Sequence, residues 1–179
     1  SPVMLVLCAL IKLTSPGPLI YRQERVGLHN QTFWMYKFRS MYLHAEEYLE
    51  ELQKFNQIKD GPAFKMDNDP RITKVGSFIR RTSIDELPQL FNILKGEMTF
   101  VGPRPPLVSE VEKYNSYQRQ RLGVKQGLTC FWQCSGRNNI GFEEWVALDL
   151  KYIKTRGIWT DIKILLKTVS AVLRMDGAC

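Results

Sequence analysis

Ten consecutive residues hold side chains that could move a phosphoryl group: Arg80-Arg81-Thr82-Ser83-Ile84-Asp85-Glu86-Leu87-Pro88-Gln89. Two cations precede a hydroxyl pair, two adjacent carboxylates and a proline. A carboxylate can attack phosphorus or hold a metal, and cations hold phosphate oxygens. The apolar positions Leu87, Leu90, Phe91 and Leu94 predict a short helix ending near Gly96. The carboxylates therefore fall at a helix start. A second reading fits the same residues: Ser83 and Glu86 match the S-x-x-E capping box, and acidic groups favour a helix N-terminus on electrostatic grounds. If the helix instead begins at Pro88, Asp85 and Glu86 lie in the loop before it.

The elements around this stretch must decide between cap and site. The chain has 179 residues, enough for one domain with a sizeable core. Its 25 Lys+Arg outnumber 18 Asp+Glu, giving a net charge of +7. Such an excess points to an anionic partner: a phosphate ligand, anionic lipid or nucleic acid. Cys8, Cys130, Cys134 and Cys179 form neither a disulfide framework nor a zinc pattern, and a reducing compartment fits them. No apolar run reaches 18 residues. Val3 to Leu13 is nearly all apolar, and as a helix it spans roughly 16 Å, about half of a ~30 Å hydrocarbon core. It reads either as a buried helix or as one arm of a helix that enters a membrane and turns back, with Lys12 at the interface.

Thr14 to Pro18 stops that helix. Leu19 to Arg25 and Thr32 to Arg39 predict a β-hairpin. The aromatics and cations of its second strand could stack bases or fill a core. Leu43 to Ile58 predicts a helix with a glutamate-rich solvated face. Asp67-Asn68-Asp69-Pro70 is either an Asx-rich turn or a set of metal-ligating oxygens. Prolines on both sides of Arg104 fix its backbone, which lowers the entropy cost of clamping a phosphate. Leu107 to Arg121 is expected to be helical, Leu128 to Cys134 a short strand, and Phe142 to Lys154 an amphipathic helix. The last helix, about 158–174, carries Ile158, Ile162, Leu165, Leu166, Val169, Val172 and Leu173 on one stripe. Lys163, Lys167, Arg174 and upstream Arg156 supply positive charge beside it. The stripe suits either the protein's own core or a membrane surface.

Seven motifs in order resemble the bacterial sugar transferase family, the monotopic phosphoglycosyl transferases, over essentially the whole chain. They are the apolar arm ending in Ser15-Pro16-Gly17-Pro18; Gln23-Glu24-Arg25-Val26-Gly27; Tyr36-Lys37-Phe38-Arg39-Ser40-Met41; Asn68-Asp69-Pro70-Arg71-Ile72-Thr73; the stretch Arg80 to Gln89; Val101-Gly102-Pro103-Arg104-Pro105; and Ser135-Gly136-Arg137-Asn138. The resemblance implies transfer of a sugar-1-phosphate from a UDP-sugar to polyprenyl (undecaprenyl) phosphate, with release of UMP. That step starts surface polysaccharide or glycan assembly at the cytoplasmic face of the bacterial inner membrane. The resemblance implies Asp85 as the nucleophile that carries an aspartyl phosphosugar and as the Mg²⁺ ligand, with Glu86 as its partner. It implies Arg80 for the polyprenyl phosphate, and Arg104 and Arg137 for the nucleotide-sugar phosphates. The implied partners are a UDP-sugar, polyprenyl phosphate and membrane lipids, with no nucleic acid.

The expected fold is α+β: mainly amphipathic helices with a small β-hairpin. Residues 1–13 are expected to be the second half of a re-entrant membrane helix, with its first half before Ser1. Residues 14–179 are expected to form a cytoplasmic catalytic domain with an interfacial C-terminal amphipathic helix. The segment between Ser40 and Asp67 is similar to enzymes that transfer glucose- or galactose-1-phosphate. The competing hypothesis is a non-catalytic basic module that binds anionic lipid or nucleic acid.

Overall fold

The computed structural model describes residues 2–58, 61–134 and 140–174. Helix α1, Pro2–Thr14, buries Leu7 and Ile11 against Phe38 and Ile79 and leaves Leu5, Val6, Leu10 and Leu13 exposed. Arg39 staples its end to the domain by donating to the carbonyls of Ser15 at 2.7 Å and Pro16 at 2.6 Å. The hairpin forms as expected. Strand β1, Ile20–Val26, pairs antiparallel with β2, Thr32–Phe38, from Ile20↔Phe38 to Val26↔Thr32. Along β2 the pleat puts Phe33 and Met35 on one face and Trp34 and Phe38 on the other, where Trp34 is exposed and Phe38 is buried with Leu7 and Ile11 of α1. Phe33 and Met35 pack on Met98, so these side chains are core rather than a base-stacking face.

The helix expected over Leu43 to Ile58 is a correction. His44 sits in the left-handed region at φ 60, and only Leu49–Leu52, α2, is α-helical, followed by a 3₁₀ turn at Gln53–Phe55. Glu46/Glu50 and Glu47/Glu51 would stack like charges at i,i+4 on a continuous helix. Asn56 organises the loop instead. Its amide donates to the Ala63 carbonyl, and its oxygen accepts from the N–H groups of Ile58 and Lys65.

Helix α3, Lys74–Arg81, is capped by the Thr73 hydroxyl, which accepts from Gly76 N at 2.8 Å. A Cβ on Gly76 would fall 1.8 Å from the Ser40 carbonyl, so only glycine lets α3 lie against the strand end. A 3₁₀ turn, Ile84–Glu86, leads into α4, Gln89–Leu94, and then β3, Thr99–Val101. The segment Leu107 to Arg121 is two short helices, α5 (Val108–Val111) and α6 (Ser116–Arg119), not one. Asn115 interrupts it by capping α6 reciprocally with Gln118.

Strand β4, Gly127–Thr129, runs parallel to β3, with Thr99↔Gly127 and Val101↔Thr129 in register. It is shorter than the strand expected over Leu128 to Cys134. Gly102 N donates to Thr129 O, and beyond it Pro103 has no N–H to continue the ladder. Phe131–Cys134 turns into helix α7. Helix α8, Phe142–Thr155, centres the main core with Trp145, Val146 and Leu150. Within it Arg121 and Asp149 form a buried pair at 2.7 Å, the guanidinium lying over the Trp145 ring at 4.8 Å. Helix α9, Ile158–Arg174, buries only Ile164. No helix among the described residues is long and apolar enough to cross a membrane. The architecture is α+β, with helices around two small two-stranded sheets.

Candidate active site

The stretch Arg80 to Gln89 is held between two anchored helices. Thr73 and Gly76 fix α3, which ends at Arg81. Fully buried Asn92 fixes α4: its amide donates to Trp34 O at 2.7 Å, and its oxygen accepts from Tyr36 N at 3.1 Å. The turn carrying both carboxylates is thereby pressed against β2. Ser83 lies at φ 55, ψ 17 in the left-handed region, and its side chain caps nothing. The capping-box reading is therefore overturned. Ser83 instead provides a backbone reversal that starts the 3₁₀ turn.

A 3₁₀ turn rotates successive side chains by roughly 120°, so neighbours face apart. Asp85 is only 6% exposed. Burial pushes its pKa up to about 6; Lys37 pulls it down, Glu86 pushes it up, and Arg80 pulls it down again. Glu86 turns the other way and accepts from Lys37 Nζ at 3.1 Å. Arg80 donates through Nε to Ser40 Oγ at 2.8 Å. Desolvation lowers its pKa, while the charges of Asp85 and Asp69 support its cationic form. Asp69 is gripped by Arg71, with Nη2 to Oδ2 at 2.5 Å and Nε to Oδ1 at 2.9 Å. The Asp67-Asn68-Asp69 run is thus a turn, with Asn68 at φ 54 and Asp69 committed to an ion pair.

Arg104 enters from the loop after β3. Arg25 holds that loop by donating through Nη1 to the Pro105 carbonyl at 2.9 Å, and Val26 N donates to Pro106 O at 2.9 Å. The Arg104 guanidinium lies over the Trp145 ring at 5.7 Å. Glu86, Lys37 and Arg104 line one cavity of about 140 Å³ together with Gln89, Trp132 and Gln133. Asp85 and Arg80 lie outside its lining. Four of the five expected site residues thus form a connected set: Arg80 and Asp85 are coupled by charge, Asp85 and Glu86 by sequence, and Glu86 and Arg104 by the shared cavity. Arg137 falls within 135–139, outside the described residues. Lys37, Ser40, Arg25 and Gln89 belong to the site and were not among the expected site residues. Lys37 and Ser40 stood within the motif Tyr36 to Met41, but no site role was read for either.

The arrangement offers two carboxylates of different environment, the cations Lys37, Arg80 and Arg104 with Arg25 supporting them, and a polar cavity. Such a set can bind a diphosphate, present a carboxylate to phosphorus and hold a second phosphate at Arg80.

Comparison with known proteins agrees with this chemistry. The model of the bacterial sugar transferase family matches residues 1–175. The galactosyl transferase CpsE of Streptococcus agalactiae is 55% identical over 90% of this chain and 36% of its own length. The undecaprenyl-phosphate galactose phosphotransferase of Salmonella typhimurium is 49% identical over 99% of this chain and 38% of its own length. The UDP-glucose:undecaprenyl-phosphate glucose-1-phosphate transferase of Xanthomonas campestris is 39% identical over 96% of this chain and 35% of its own length. The chain therefore spans little more than a third of these relatives. Matched by the family's model along residues 1–175, the chain belongs to the bacterial sugar transferase family.

Proposed function

We propose that this chain is the catalytic region of a phosphoglycosyl transferase. It moves a hexose-1-phosphate from a UDP-sugar to polyprenyl phosphate and releases UMP. Galactose is favoured over glucose by the names of the two relatives above with the higher identity. The observation that carries this reading is the cavity lined jointly by Glu86, Lys37 and Arg104, with Asp85 and Arg80 adjoining it.

Arg104 and Lys37 would bind the donor diphosphate, and Arg137 would join them from its neighbouring motif. Asp85 would attack the sugar-bearing phosphorus, forming a P–O bond as the bond to UMP breaks. Arg80 would then hold the lipid phosphate, whose oxygen displaces the carboxylate and regenerates Asp85. Burial keeps water from competing for the intermediate and strengthens each charge interaction. Mg²⁺ is commonly held by one or two carboxylates plus substrate phosphates. Asp85 fits such a donor set, because a cation beside it would relieve the cost of burying its charge. When bound, the ion would neutralise phosphate charge.

A second assignment has its own support: Glu86, not Asp85, lines the cavity. It would make Glu86 the attacking group and Asp85 its electrostatic support. UMP release from a panel of UDP-sugars with Mg²⁺, followed by mass spectrometry of the trapped phosphosugar peptide, tests both. The adduct is expected on Asp85. An adduct on Glu86 reverses the two roles, and no UMP from any sugar removes the transferase reading.

The membrane association belongs to the same proposal. The exposed apolar faces of α1 and α9 would embed in the cytoplasmic leaflet, α1 as one arm of a re-entrant helix. Lys12 would remain at headgroup level.

A further inference from the structure

We infer that Trp132 is the platform on which the donor's nucleobase stacks. The inference rests on the nucleotide-sugar reading above. The cavity lining combines charged groups, Lys37, Glu86 and Arg104, with uncharged ones that include Pro105, Leu128 and Trp132.

Trp132 is braced. Its ring packs on Trp145 with centroids 4.5 Å apart and a 39° tilt. Trp145 also lies under the Arg104 guanidinium. The phosphate-binding cation and the aromatic wall therefore share one rigid support, and a diphosphate held at Arg104 has its nucleoside beside Trp132. Every base has a π-face, and stacking on an aromatic wall of this kind is a general mode of base recognition.

The sugar could occupy the same wall, since a pyranose face also packs on indole. The test therefore uses separate probes. The full chain and its variants are titrated calorimetrically with UMP, galactose-1-phosphate and inorganic pyrophosphate. For Trp132→Ala, UMP affinity is expected to fall on the order of tenfold to a hundredfold, with pyrophosphate affinity changed by less than about twofold. Trp132→Phe keeps a stacking face and is expected to stay within a few-fold of wild type for UMP. In turnover, the KM for the UDP-sugar rises in Trp132→Ala more than kcat falls. Unchanged UMP affinity overturns the inference. Equal loss of UMP and pyrophosphate overturns it as well, since that marks general damage to the wall. Loss confined to galactose-1-phosphate assigns the wall to the sugar and also overturns it. A wild-type chain that neither binds nor releases UMP removes the transferase reading itself. A wild-type chain that does both, matched by Trp132→Ala, removes only the nucleobase assignment.

Discussion

Arg25 donates through Nη1 to the carbonyl of Pro105 at 2.9 Å, 80 residues away in sequence. The contact joins the end of β1 to the proline-flanked loop that carries Arg104. Burial, then the charge of Arg104, lowers the Arg25 pKa to about 10. Arg25 is thus a charge kept inside the protein for a positioning purpose. Arg25→Met keeps much of the volume and removes the donors. It leaves the Pro105 carbonyl unpaired, at a cost of about 1–3 kcal/mol. The expected outcome is a lower Tm together with a higher KM for the UDP-sugar. Thermal melts and donor titrations check both. A lower Tm with an unchanged donor KM would reduce Arg25 to a structural residue.

Buried Asp85 supplies a prediction with opposite signs for stability and activity. Its folded pKa, about 6, lies above the ordinary value of 3.8. A group raised on folding contributes stability that is fully present below its unfolded pKa and is lost as pH rises through the folded one. At pH 7.5 the ionised carboxylate therefore opposes folding, by about 2–3 kcal/mol on the scale of 1.36 kcal/mol per unit. In metal-free buffer Asp85→Asn is expected to be more stable than wild type at pH 7.5 and level with it below about pH 4. The same variant should lose UMP release. Chemical denaturation across pH, beside an activity assay, measures both. A destabilised Asn variant at pH 7.5 would show that the native carboxylate is net favourable where it sits.

Activity should follow the same titration. The attacking group must be ionised, so turnover is expected to rise with pH through about 6 and level off above it. Arg80 pulls the Asp85 pKa down, so Arg80→Met should move that limb to higher pH. The pH–rate profiles of wild type and variant, taken at saturating donor, decide the point. A limb that stays in place would separate Arg80 from Asp85.

These residues show what the sequence made legible and what it hid. Asp85, Glu86, Arg80 and Arg104 could be picked out because their chemistry is local: adjacent carboxylates, neighbouring cations, an arginine between prolines. The hairpin and helices α8 and α9 were legible because their apolar periods run for many residues. Lys37 was not, because its meaning depends on β2 lying against a turn 49 residues later. The β3–β4 pair was hidden for a similar reason, as three-residue strands carry too short a pattern and their pairing is non-local. Ser83 misled in the other direction. Its spacing to Glu86 fits a capping box, yet the turn demanded a left-handed residue there and the hydroxyl went unused as a cap.

Ser40 offers a prediction about the second substrate alone. Its hydroxyl accepts from Arg80 Nε at 2.8 Å, and its carbonyl accepts from Thr73 N at 3.0 Å. It therefore orients Arg80 without reaching the cavity. Ser40→Ala is expected to raise the KM for polyprenyl phosphate several-fold, on the order of 1 kcal/mol for one hydrogen bond. UMP release in the absence of lipid acceptor should be nearly unchanged. An equal loss in both half-reactions would place Ser40 with the donor site as well.

Helix α9 tests how the chain meets its lipid substrate. Its apolar stripe suited the protein's own core as well as a membrane surface, but core packing is largely missing: Trp159 is 74% exposed, Leu166 67% and Leu173 78%, whereas Ile164 is the one buried residue among the described residues of the helix. Each large apolar side chain moved from water into lipid contributes roughly 1.5–3 kcal/mol. Lys163 and Lys167 lie on the same helix, where headgroup phosphates would attract them. The double variant Trp159→Glu/Leu166→Glu should reduce binding to anionic vesicles by at least about tenfold. Neither residue lines the cavity, so donor-dependent UMP release in solution should persist. Turnover on polyprenyl phosphate embedded in vesicles should fall in step with binding. Flotation with vesicles of mixed anionic and zwitterionic lipid measures the first effect, and radiolabelled sugar recovered in the lipid fraction measures the second. If the double variant floats as well as wild type, the α9 face is covered by something other than membrane, and the depth of the active site must be set by α1 alone.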